Sequence, residues 1–391
     1  MPQAEPIDSL RAALLGRLKR EVVDASVAPA VCAGLFSRPS ELAAIELRVA
    51  AGRAQGRDVA VDTPFDLASL TKPVVALCAA RMARAGLLCL EAPLEEALPW
   101  TRGTPSGAVP IELLLAHRAG LHAHVELFAP LRWRRTVELG ALLQQAARER
   151  RPECLGPAPS GGFPPVYSDL GYILLGAALS AAGGAALDEL VWHHVTEPLG
   201  VAIGSARQWI ARSAQFLRSV APTEHVHFRG GVVCGQVHDE NAWALSGHGL
   251  SGHAGLFGTL DGVLGLGAAL LDCLRGGRPE FLHPTDLEPL LRRRPGGTLR
   301  AGFDSAQPSG SSAGDLAGPN TFGHLGFTGT SVWWDPDRNT VTAVLTNRVH
   351  PTRERLGIRL VRPWLHDALW RASDVLSGRP SGAPAPTDGK N

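Results

Sequence analysis

The chain has 391 residues, 45% of them hydrophobic and 19% charged, enough apolar content to bury a large core. Its 38 Lys and Arg against 37 Asp and Glu leave a formal net charge of +1. With no basic stripe or polybasic run, nucleic acid and anionic membrane are excluded as the main partner. The six cysteines have neither metal-ligand nor redox spacing. Cys32, Cys78, Cys89 and Cys234 sit in apolar company and read as small buried hydrophobes in a reducing compartment.

The start, Met1 to Pro6, lacks a basic segment followed by an unbroken apolar stretch. No signal peptide and no membrane span are therefore expected, which predicts a cytoplasmic location. Ile7, Leu10, Leu14, Leu15, Leu18 and Val22 recur at helical spacing and predict an amphipathic helix. Ala30 to Phe36 and Ile45 to Ala51 read as strands. A helix is predicted after Ser69 to about Gly86, and from there to about residue 290 helices alternate with Gly- and Pro-rich loops. Among these, Leu170 to Ala182 follows the loop Pro152 to Pro165, and Thr259 has the chemistry of an N-cap. Residues 301–319 form a long irregular segment of the kind that serves as a site loop. Gly326 to Trp334 and Thr340 to Val349 read as strands joined through Asp335 to Asn339, with Trp333 and Trp334 on opposite faces. A last helix is predicted from Arg353 to about Leu376.

Strands at both ends around a helical middle predict an α+β fold. One antiparallel β-sheet is flanked by N- and C-terminal helices and carries an inserted all-α lobe. The expected organisation is a single catalytic domain over 1–377, with an α/β lobe over 1–75 and 300–377, a helical lobe over 76–299 and a flexible tail over 378–391.

Ser69 and Lys72 stand three residues apart. On a helix that spacing shares a face, so the Lys72 nitrogen reaches the Ser69 hydroxyl. A serine is a weak nucleophile unless a neighbour takes its proton, and a helix N-terminus adds positive potential where an oxyanion forms. Pro73 is tolerated only in the first helical turn, which puts Ser69 at or just before the helix start.

Two later segments carry the same chemistry: Val166-Tyr167-Ser168-Asp169 before an apolar helix, and Gly323-His324-Leu325-Gly326-Phe327-Thr328-Gly329-Thr330. In this order the three resemble the motif set of the serine β-lactamase and penicillin-binding superfamily, nearest to its class C branch, with S-x-x-K, Tyr-x-Asn and Lys-Thr-Gly. Leu114 to Leu121, with His117, resembles a further helix-end segment of that family. The resemblance runs from about residue 28 to 370 and implies a β-lactamase/transpeptidase-like fold. It implies Ser69 as nucleophile, Lys72 and Tyr167 as proton-transfer partners, and the N–H groups of Ser69 and Phe327 as oxyanion hole. It places Asp169, His324, Gly326, Thr328 and His253 against the substrate, with His324 binding a substrate carboxylate or steadying the tyrosine. No cofactor and no metal are implied, and the partner is a small ester, amide or peptide.

Three positions depart from the family pattern. Asp169 replaces asparagine: facing Lys72 it keeps the lysine protonated and makes Tyr167 the better base, whereas facing backbone N–H groups it shifts little. His324 and Leu325 replace Lys-Thr, weakening attraction for a carboxylate. An esterase or amide and peptide hydrolase is therefore expected ahead of an antibiotic-hydrolysing β-lactamase. A D-amino-acid peptidase or muropeptide amidase is the alternative, and a catalytically lapsed binder of peptidoglycan fragments is the alternative of another class. His225, His227, His238, His248 and His253 crowd one region and raise a zinc hydrolase as a rival.

Overall fold

The computed structural model describes residues 4–39, 42–154 and 156–379. Helix α1 (Ala4–Leu18) leads through a wider π turn to strands β1 (Ala30–Ser37), β2 (Ile45–Ala54) and β3 (Arg57–Asp58). After β4 (Phe65–Asp66) come helix α2 (Thr71–Arg84), helix α3 (Asp169–Gly183) and strand β5 (Ile203–Ser205). Helix α4 (Glu240–Ser246), strand β6 (Leu256–Gly258) and helix α5 (Leu260–Leu274) follow. Strands β7 (Asp304–Ser305), β8 (Phe322–Leu325), β9 (Ser331–Asp335) and β10 (Thr340–Thr346) precede the last helix, α6 (Ile358–Leu376).

The main sheet has seven strands in the order β3-β2-β1-β10-β9-β8-β7, and every neighbouring pair is antiparallel. The two ends of the chain meet where Val31 pairs with Thr346 and Ser37 with Thr340. Successive side chains of a strand point to opposite faces. Val31, Ala33 and Leu35 accordingly pack under α1 and α6 with Leu14, Leu18, Leu365 and Leu369, while Ala30 and Cys32 join the core under α2 and α5. Both faces of β1 are buried, so a polar substitution on either face is expected to destabilise. A second sheet, β4-β6-β5, fastens the strand before α2 to the helical lobe.

The β-lactamase-like α+β architecture is as expected, with local differences. The strand predicted from Gly326 is two: β8 ends at Leu325 and β9 starts at Ser331. Between them Gly326 donates its N–H to the Thr330 carbonyl (2.7 Å) and Gly329 takes a φ of 105°, so the glycines make a turn rather than a strand. Helix α6 starts at Ile358 rather than Arg353, because the Arg348 guanidinium draws the carbonyls of Arg353 and Arg355 (2.7 and 2.9 Å) into a loop. Both Trp333 and Trp334 are buried: Trp334 stacks on Phe322 in the main core, and Trp333 packs with Trp370 and Ala313. Cys89 is exposed rather than buried. The predicted tail over 378–391 lies, from residue 380 on, outside the described residues.

Candidate active site at the start of helix α2

Ser69 sits in a 3-10 turn, Ala68–Leu70, that runs directly into α2. Ala68 has a φ of 48°, a left-handed conformation that costs a non-glycine residue about 1–3 kcal/mol and clusters at functional sites. The buried Asp66 holds this turn: its Oδ1 accepts the Ala68 N–H (2.8 Å) and its Oδ2 the His238 N–H (2.7 Å). No sequence motif singles out Asp66, since its partner His238 lies 172 residues away.

Lys72 is fully buried, and its Nζ points at three acceptors: Ser69 Oγ at 3.0 Å, Asp169 Oδ1 at 2.8 Å and the His253 carbonyl at 3.3 Å. An ammonium has three donors and no lone pair, so the geometry is that of the charged form. Burial opposes that charge, but the Asp169 carboxylate, with Tyr167 behind it, outweighs burial and holds the amine above its ordinary value. Asp169 shows the mirror effect: burial pushes its carboxyl up, and the Lys72 charge overcomes this and holds it below the usual range. Of the two orientations open for Asp169, the one facing Lys72 is found.

The Tyr167 ring lies under Lys72, with Nζ 4.7 Å from the ring centroid, and its hydroxyl stands beside Lys72 and Ser69. Burial raises the phenol above its ordinary value, so at neutral pH Tyr167 is an intact O–H donor. His117 holds the loop that carries it, accepting the Ser168 N–H at Nδ1 (3.0 Å) with its ring 4.7 Å from that of Tyr167. Burial, with the nearby Lys72 charge, pushes His117 down to about 3 and keeps it neutral. The helix-end segment Leu114 to Leu121 had marked His117 in the sequence, without a role.

His324 is buried on β8, its ring 5.8 Å from Tyr167, and burial with the Lys72 charge pushes it to about 3. Its Nδ1 is 2.8 Å from the Leu325 carbonyl, which can only accept. Nδ1 therefore carries the proton and Nε2 carries a lone pair. A neutral imidazole brings no charge to a substrate carboxylate, and its ring lies beside Tyr167, the other partner expected for His324. Two other expected substrate contacts also move. Thr328 is buried and spends its hydroxyl on the Asp66 carbonyl (2.8 Å). His253 is buried between Ser251 Oγ (3.0 Å) and Asp239 Oδ1 (2.8 Å), and reaches the site only through its carbonyl on Lys72. Gly326 lines the cleft, and a Cβ there would meet Thr330 Oγ1 at 2.0 Å and the Leu67 carbonyl at 2.7 Å, so the turn admits glycine alone.

Ser69, Tyr167, Asp169, His324 and Phe327 line one cavity of about 860 Å³ between the lobes. Among the described residues the N–H groups of Ser69 and Phe327 have no backbone acceptor. The Phe327 side chain is 48% exposed in this cavity and stacks on His238 (centroids 5.7 Å apart), with the Arg348 guanidinium 4.6 Å from its centre. A separate cavity of about 560 Å³ beside the 293–298 loop contains none of these residues. Among the described residues no three His, Cys, Asp or Glu side chains gather as a metal-binding group, and the crowded histidines disperse.

Residues 20–362 match the family model described as Beta-lactamase. A relative from Salmonella agona, named "Putative D-alanyl-D-alanine carboxypeptidase", is 31% identical over 202 residues, which is 47% of this chain and 45% of the relative. One from Salmonella gallinarum of the same name matches equally, so the chain spans less than half the length of these curated relatives. Solved structures share the fold. EstCE1, a hydrolase with promiscuous acyltransferase activity, has a TM-score of 0.69 at 21% identity, covering 93% of this chain and 99% of that one. A class C β-lactamase from Rhodobacter sphaeroides has a TM-score of 0.62 at 18% identity, covering 90% and 97%. The octameric penicillin-binding protein homologue from Pyrococcus abyssi has a TM-score of 0.66 at 16% identity, covering 95% and 78%.

Proposed function

The chain belongs to the beta-lactamase family, and from that premise we propose that it is a serine hydrolase cleaving an ester or amide through a covalent acyl-Ser69 intermediate. The observation that carries this reading is the buried Lys72 ammonium joining Ser69 Oγ to the Asp169 carboxylate at the cleft floor. Ser69 attacks the substrate carbonyl, and the N–H groups of Ser69 and Phe327 receive the oxyanion. Tyr167 donates its O–H to the oxygen or nitrogen that leaves. Tyr167→Phe keeps the ring beneath Lys72 and removes only that donor. Its kcat is expected to fall about 10²–10⁴-fold, the usual scale for one acid–base group. Thermal unfolding is expected to move little, which steady-state rates and melting curves check.

The substrate class follows from His324. An acceptor at Nε2 suits a neutral or N–H-bearing group and disfavours a carboxylate, which sets short esters and amides ahead of lactam antibiotics. The test is a panel of short p-nitrophenyl esters, D-amino-acid amides and a cephalosporin reporter, run beside a fluorophosphonate probe. Adduct at Ser69 with esters or amides turned over well ahead of the cephalosporin is the expected result. Comparable cephalosporin turnover would overturn the substrate class. An unlabelled Ser69 with no turnover would overturn the hydrolase and favour a binding protein.

A further inference from the structure

Beyond the Lys72 to Asp169 pair the chain of polar contacts continues to His124, which no motif marked. His124 Nδ1 lies 3.6 Å from Asp169 Oδ2, the oxygen opposite the one on Lys72, and its side chain is 45% exposed against 18% for Asp169 and 0% for Lys72. His124 lines the cleft, so it stands between a buried ion pair and solvent. Its position is fixed from α3: the Asp169 N–H donates to the Ala123 carbonyl (2.9 Å) and Ser168 Oγ donates to the His122 carbonyl (2.6 Å).

We propose that His124 is the protonation switch of the Ser69 site, which turns over when the His124 imidazole is neutral and stops when it is charged. This rests on the serine-hydrolase reading above. Because Lys72 is already an ammonium, it takes the Ser69 proton only by handing one of its own to Asp169. During attack the Ser69 Oγ to carbonyl carbon bond forms and the carbonyl π pair moves to oxygen. The Ser69 proton goes to Lys72, and a Lys72 proton goes to Asp169 Oδ1. When the oxyanion collapses, the bond to the leaving group breaks and the Asp169 proton returns through Lys72 and Tyr167 to that group. Water repeats the cycle on the acyl-enzyme. The step that needs Asp169 as proton acceptor is the first, and an imidazolium at Oδ2 puts a second cation on a carboxylate that Lys72 already holds below its usual range, lowering its basicity further.

The groups facing His124 set where it switches. Asp169 on α3, and Asp239 and Glu240 at the start of α4, favour its cation and raise it above the ordinary value, the Asp169 contact first. Lys72 stands behind Asp169, Arg353 is paired with Glu240, and on its own loop Glu126 is paired with Arg132 (2.7 Å). His124 acts through Asp169, so it is a positioning residue, and the pH profile separates this role from a structural one.

The test compares kcat/KM for a short p-nitrophenyl ester at pH 8 and pH 5.5. With the His124 midpoint raised by the Asp169 contact, the wild type is expected to lose at least about tenfold between the two. In His124→Gln the same ratio is expected to fall within about threefold. An NMR titration of the His124 imidazole, which needs no turnover, is expected to show a lower midpoint in Asp169→Asn. A wild-type ratio retained in His124→Gln, or an unmoved midpoint, overturns the switch while leaving a labelled Ser69 hydrolase intact. An unlabelled and inactive wild type overturns the hydrolase reading and the switch together.

Discussion

Ser69→Ala is expected to abolish turnover, lowering kcat by about 10⁴-fold or more on every ester or amide the wild type accepts. A nucleophile that forms a covalent intermediate has no partial substitute, and the residual rate comes from the oxyanion donors and binding alone. The fold has little reason to respond. Lys72 loses its 3.0 Å contact with Ser69 Oγ but keeps Asp169 and the His253 carbonyl, so its ammonium stays satisfied. A stability change within about 1 kcal/mol follows. Substrate binding should persist, since the Phe327 N–H and the cavity wall are untouched. Single-turnover kinetics, intact mass after fluorophosphonate treatment and denaturant unfolding check the three parts. Retention of more than about a tenth of the wild-type rate would remove Ser69 from the nucleophile's role.

Lys72→Met is expected to cost both activity and stability. Met fills the volume but leaves Asp169, largely buried, without its ammonium. Removing one partner of a buried ion pair costs about 3–5 kcal/mol, because the remaining charge is stranded. The pH dependence should also change sign. In the wild type Asp169 is held below its ordinary value, so its contribution is present above the unfolded carboxylate range and is lost as pH falls through the folded value. In Lys72→Met burial, the largest influence on Asp169, is opposed only by the His124 contact and the His253 charge, and Asp169 is expected to rise. The folded state then favours the protonated acid, and stability falls as pH rises. Denaturant unfolding at pH 5 and pH 8 checks this: the wild-type Asp169 contribution is flat over that range, because its window lies below the ordinary carboxylate value, whereas Lys72→Met is expected to lose stability across it. The double change Lys72→Met/Asp169→Asn is expected to regain most of the lost stability and none of the activity. A double variant as unstable as the single one would mean that the cost of Lys72→Met lies in packing rather than in stranded charge.

Much of this site was legible because its markers are local. The Ser69 to Lys72 spacing needs only a helix, and Pro73 fixes where that helix begins. Tyr167 and Asp169 announce themselves as a pair before the apolar α3. The glycines Gly326 and Gly329 read as part of a strand, because a turn inside a β-rich run has the same apolar neighbours as the strands it joins. Thr328 and His253 were assigned to substrate, and both are buried, with polar atoms that satisfy backbone and side-chain partners instead.

What could not be read are contacts across the chain. Asp66 holds the His238 N–H over 172 residues, and Lys72 meets Asp169 over 97. The sequence by itself determined the residue types of the site, the helix that carries the nucleophile and the α+β pattern around it, because spacing and periodicity follow from backbone geometry alone. Only the tertiary structure decided the protonation states. It turned Asp169 toward Lys72, fixed the His324 tautomer on the Leu325 carbonyl and brought His124 to the open side of the carboxylate. Charge in a buried site is set by what surrounds it in space, and those surroundings come from segments far apart in the chain.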